Sequence, residues 1–245
     1  MDAALEALCA RLSGGGTVAA EGARSLGVTL GSGRGARSVT GEPAADDAVG
    51  SAVVATRVGA TAVVLVVTAC GNAQLVALRW DGDGAVWQST DRAGLVTDAR
   101  PGGCRTTEAR AEGRGMANDE PREIVAVFGS ESEEGDEVRT PVLRVYRLTP
   151  AARLERLSAD LPFGGTDDAT GAAQRAEWVV DEALTVPRDL YVQLSPGRPG
   201  PGGLATQQVV RRTYRLQGSS LRLVDETTEA VRPVVPGTGV PLQVR

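Results

Sequence analysis

The chain has 245 residues, 26 of them basic and 31 acidic, and a net charge of −5. Every basic residue is arginine, because lysine and histidine are absent, so Ser-His-Asp, Cys-His and Ser-Lys nucleophiles, Schiff bases and histidine-ligated zinc, copper or iron sites cannot be built from it. The mild acidity argues against a nucleic-acid surface, which needs a concentrated basic face. The all-arginine usage, with Ile124 the only isoleucine, is the mark of GC-rich coding. At this length a chain buries roughly 70–75% of its unfolded surface and can fold as one large all-β domain or two small ones.

Residues 1–50 read as a short helix and a Gly-rich arm. Leu5, Leu8, Cys9 and Leu12 fall at i, i+3, i+4 and i+7, the spacing of one helix face, and Gly14–Gly16 would end it. A strand is the other reading, since Arg11-Leu12 lies one step of 68 residues before Arg79 and would open a fourth copy of the pattern below. Within the arm, Gly33, Arg34, Gly35 and Arg37 are anion-binding candidates: glycine backbone can turn N–H groups toward a phosphate or sulfate, with two arginines to assist. No strand–helix context or Walker lysine accompanies them, and a plain loop is the other reading.

From residue 51 to 245 the pattern is β. Leu78-Arg79-Trp80, Tyr146-Arg147-Leu148 and Tyr214-Arg215-Leu216 recur with their arginines at an even step of 68 residues. An even step points to one structural unit made three times, over about 51–92, 104–160 and 176–228. Each unit opens with a weak strand (52–58, 106–112, 177–186). A strong apolar run follows: 61–67, then 121–128 and 187–194, which both begin Pro-Arg-acid. The Arg-bearing strand comes next, then a turn, and last a short strand (85–88, 153–157, 221–224). Asp81-Gly82-Asp83-Gly84 is the clearest turn, because Asp and Gly tolerate hairpin backbone angles.

Alternation along each Arg-bearing strand assigns its two faces. Val76, Leu78 and Trp80 share one face; so do Val142, Tyr146 and Leu148, interrupted by Arg144, and Val210, Tyr214 and Leu216, interrupted by Arg212. The repeated arginine lies on the other face, where it is expected to snorkel to water. That other face turns polar in the third unit (Arg211, Thr213, Arg215), which predicts a terminal or capping position.

Four-stranded meanders repeated at this length, together with Val125-Ala126-Val127-Phe128-Gly129-Ser130, resemble the FG-GAP-type blades of β-propeller proteins. The resemblance implies an all-β fold of three units, or four with the N-terminal copy, propeller-like or stacked. The calcium loop of many such blades is missing, and three copies are few for a ring of 4–8 blades. No functional residue carries over.

The remaining candidates are weak in pattern. Asp81 and Asp83 could open a metal loop, but the third aspartate and the distal glutamate are lacking. Glu133, Glu134 and Asp136 belong to the strongest charge run, between two strands, and read equally as a solvated loop or a loose cation site. Asp46-Asp47 and Asp167-Asp168 are paired acids with nothing to fix their separation. Cys70 and Cys104 lie beyond strand ends and are a disulfide candidate, against three unpaired thiols. The tryptophans and tyrosines, at strand spacing, read as core rather than as a ligand platform. No cofactor is implied.

The apolar run 60–69 is about half the length a membrane helix needs. No basic region precedes an apolar core at the N-terminus, so the compartment is cytoplasmic, or extracytoplasmic (periplasm or cell surface) where a signal peptide has been removed. The expectation is a non-enzymatic binding or scaffold module that meets a protein or glycan through loops between strands. The alternatives are a carboxylate-only hydrolase acting on glycans and a calcium-stiffened surface protein.

Overall fold

The computed structural model describes residues 1–14, 21–23, 25–27, 49–68, 73–96, 109–129, 141–166, 173–182, 185–196 and 207–231. Among the described residues it is a mostly β protein with a helix, α1 (Asp2–Ser13), ahead of three antiparallel sheets. The first sheet is a four-stranded meander of β1 (Val49–Val58), β2 (Thr61–Thr68), β3 (Ala73–Asp81) and β4 (Val86–Val96). The second runs β5 (Ala109–Arg114), β6 (Glu123–Phe128), β7 (Val142–Leu148) and β8 (Leu154–Arg156), with β9 (Leu161–Pro162) also on β7. The third orders β10 (Gly165–Thr166), β11 (Ala173–Val180), β12 (Leu190–Pro196), β13 (Gln207–Gln217) and β14 (Ser220–Val231). Among the described residues none of the sheets closes on itself. No helix among the described residues is long and apolar enough to cross a membrane.

The N-terminal stretch is a helix and not a fourth strand. Its stripe of Leu5, Leu8, Cys9 and Leu12 packs on the first sheet against Val64, Val66, Val76, Leu78 and Trp87. Polar contacts at both ends fix its direction. Asp2 pairs with Arg57 and the Trp87 indole N–H donates to the Met1 carbonyl (3.2 Å), while at the other end the Ala52 N–H donates to Ser13 Oγ (2.9 Å). The helix therefore lies antiparallel to β1. Burial of the Cys9 thiol in this layer pushes its pKa up.

Alternation holds across all three sheets. The Val76/Leu78 face meets α1, and the Leu75/Ala77 face packs with Ile124, Ala126, Tyr146 and Leu148 of the second sheet. The far face of the second sheet, with Val125, Val127, Leu143 and Val145, packs with Leu190, Val192, Leu194 and Tyr214 of the third. Each Arg-bearing strand thus looks backward with its apolar face and forward with its arginine.

Three departures from the sequence reading have physical causes. The last strands of the first and third sheets reach eleven and twelve residues, far past 85–88 and 221–224. Their extensions are polar because they are sheet edges, and polar runs without apolar alternation read as loop. Bulges on β1 and β4 are the second departure, and one on each strand falls at or beside a threonine that reaches toward the second sheet. Thr56 Oγ1 donates to the Pro121 carbonyl (2.5 Å), and Thr90 Oγ1 lies 2.6 Å from the Ala152 carbonyl. Thr56 also explains Gly113, where a Cβ would stand 2.5 Å from the Thr56 Cβ.

The third concerns the interrupting arginines. Arg144 does not break its apolar face: it grips Asp160 through two nitrogens, stacks over Phe128 (4.6 Å) and donates to the Gly94 and Leu95 carbonyls (3.2 and 3.3 Å). The second sheet is tied to the first through it. Arg212 is satisfied similarly by Glu226 (2.7 Å).

Candidate functional site: a cleft at the edge of the second and third sheets

Two of the three repeated arginines, Arg147 and Arg215, hold a buried carboxylate. Each of the three sits on the third long strand of its meander, at the start of the second. Arg79 lies opposite Thr61, and Arg147 opposite Glu123. Arg215 lies one residue beyond the Leu190–Tyr214 pair and donates to both oxygens of Asp189 (2.9 and 2.7 Å). Thr61, Glu123 and Asp189 are all buried, Glu123 to 1%.

The expectation that Arg147 snorkels is therefore corrected. Its Nε donates to Glu123 Oε1 (3.1 Å), and the other Glu123 oxygen accepts the backbone N–H groups of Met116 and Ala117 (2.9 and 3.3 Å). A carboxylate this deeply buried needs such partners. Arg215 does reach water, and its carboxylate partner raises its pKa. These acids are structural, since arginine occupies each of them.

Of the metal, anion, paired-acid and disulfide candidates, only Asp81 and Asp83 lie among the described residues. They form the β3–β4 hairpin turn: the Asp83 N–H donates to Asp81 Oδ1 (3.1 Å), and Gln88 Nε2 to Asp81 Oδ2 (2.8 Å). Among the described residues no group of three acids or thiols is arranged to hold a metal ion. Gly33, Arg34, Gly35, Arg37, Glu133, Glu134, Asp136, Cys70, Cys104, Asp46, Asp47, Asp167 and Asp168 lie outside the described residues.

The site that sequence reasoning missed is a cleft of about 610 Å³ lined by Arg114, Trp178, Val179, Val180, Asp181, Glu182 and Tyr191. It curls round the end of β11. Trp178 pairs with Val192 on the inner face, and Val179 with Tyr191 on the outer, so both faces of the third sheet contribute. β10 pairs with β11 only at Gln174 and Ala173, leaving the Trp178–Val180 end without a neighbour on that side among the described residues. Arg114 arrives from β5 and stacks over Trp178 (5.3 Å). Its Nη2 reaches Glu112 Oε2 (2.5 Å) and its Nη1 Glu182 Oε1 (3.5 Å).

The second sheet is also tied to the segment before β12. The Arg188 N–H donates to the Met116 carbonyl (2.8 Å), and its guanidinium to the Gly115 carbonyl and Asp119 (both 2.7 Å). No protein-family model, curated protein or solved structure matches the chain. The chemistry of the cleft rests on its own residues: two aromatic rings, two carboxylates and one guanidinium already held by carboxylates. Partly exposed aromatic rings beside polar groups suit ligand capture, because a ring offers area at little cost in side-chain entropy.

Proposed function

We propose that the chain is a non-enzymatic binding module whose partner, a protein or a glycan, enters the cleft beside Trp178 and Tyr191. The cleft itself carries the reading, with half-buried rings and carboxylates at a strand end. Binding is favoured over carboxylate-only hydrolysis because the most buried carboxylates, Glu123 and Asp189, are each committed to an arginine.

The architecture supports the same reading. We take the three sheets to be copies of one meander, set like consecutive propeller blades. The support is the common place of Arg79, Arg147 and Arg215 opposite the buried Thr61, Glu123 and Asp189. Folds of this kind present broad surfaces at strand ends.

Calorimetry against a glycan panel and a peptide library tests the reading, with Trp178→Leu as the control. A ligand that binds the wild-type chain and is lost in that variant is the expected result. A ligand that binds both chains alike places the site elsewhere, and release of reducing sugar from the panel would favour the hydrolase.

A further inference from the structure

The cleft already holds one ligand-like group, Arg114. Its guanidinium lies over the Trp178 ring, with a carboxylate from Glu112 and another from Glu182. An aromatic face plus two carboxylates is the environment in which a protein recognises an arginine presented by a partner. We propose, resting on the binding reading above, that the partner is a basic peptide that lays an arginine side chain on Trp178, taking the place Arg114 holds in the free protein.

Charge favours this occupant over a neutral or anionic one. Glu112 and Glu182 set two carboxylates against the Arg114 guanidinium, and the chain as a whole carries −5. Exchange is also accessible. Arg114 is only partly buried, Glu112 and Glu182 are exposed, and exposed ion pairs and exposed cation–π contacts are individually weak. The incoming arginine recovers the same contacts, while Tyr191 and Val179 alongside are free to take the flanking residues of the peptide. Val179 is 56% exposed, and its cross-strand neighbour Tyr191 extends the apolar strip. Arg114 thus acts as a resident competitor that sets the affinity of the site.

The experiment is calorimetry with a short glycine–serine peptide carrying one central arginine, its Arg→Gln twin and a neutral oligosaccharide panel. The chains are wild type, Arg114→Gln, Trp178→Leu and the double variant; leucine keeps apolar volume at a partly buried position, and melting curves confirm folding. The expected result is preference for the arginine peptide, about fivefold tighter binding in Arg114→Gln because the competitor is gone, and loss of binding whenever Trp178 is replaced. Equal binding of the two peptides, or unchanged or weaker binding in Arg114→Gln, overturns the proposal. A Trp178-dependent oligosaccharide with no preference for the arginine peptide overturns it too, but leaves the cleft as the binding site. A panel with no Trp178-dependent ligand removes both readings.

Discussion

The two outer faces of the molecule are finished in opposite ways. The back of the first sheet is apolar through Val64, Val66, Val76, Leu78 and Trp87, and α1 covers it. The front of the third sheet carries Gln193, Arg211, Thr213 and Arg215, with Arg211 bonded to Gln193 and Glu229 and Arg215 to Asp189. One end needs a lid because its side chains cannot face water; the other has side chains that can. Among the described residues neither of these two faces offers a bare apolar sheet to a second copy.

The comparison breaks most readily at the helix. Leu12 is fully buried against the first sheet. Leu12→Ala should lower stability by about 2–5 kcal/mol, read from urea melts. Deleting residues 1–14 should go further and produce aggregates in light scattering, since the apolar face beneath loses its cover. A soluble, monomeric truncated chain would show that α1 is not the lid.

The arginines sharpen it. Arg147→Ala leaves Glu123 buried with its main cationic partner gone, a loss of about 3 kcal/mol. Arg215→Ala should do less, because the Arg215 side chain is 52% exposed against 23% for Arg147, so its pair with Asp189 is better screened by water. Melts of the two variants under the same conditions decide it. Equal losses would mean that the outer face is as dry as the inner junction.

Much of the fold was legible because it depends on local alternation and on spacing. The apolar faces of β3, β7 and β13 follow from pleat alone, and α1 from one four-residue stripe. The pairing of Arg147 with Glu123 was half visible: Pro-Arg-acid recurs before β6 and β12, but only strand register brings the acid opposite the arginine. The cleft was not legible. Arg114 and Trp178 are far apart in sequence and meet only where a strand of the second sheet passes the end of β11. A lone tryptophan at strand spacing reads as core, and Trp178 does touch the core, so no sequence signal separated its two roles.

The smallest effect concerns Asp160, which ties the second sheet to itself and, through Arg144, to the first. Hydrogen bonding from Arg144 holds the Asp160 carboxyl below its ordinary range; partial burial opposes this, and the charges of Arg144 and Arg156 add to the lowering. A carboxyl whose pKa is lower folded than unfolded stabilises the fold above its unfolded value, about 3.9, and loses that contribution as pH falls through the folded value. The Asp160 side chain is 44% exposed, so the contribution is that of a partly screened ion pair, under about 1 kcal/mol. Asp160→Asn should therefore be slightly less stable than wild type at about pH 7, with the gap narrowing at about pH 3. Urea midpoints of both chains at the two pH values measure it. A gap of the same size at both would assign the Asp160 effect to packing rather than charge, and Arg144 would then bind the first sheet through the Gly94 and Leu95 carbonyls alone.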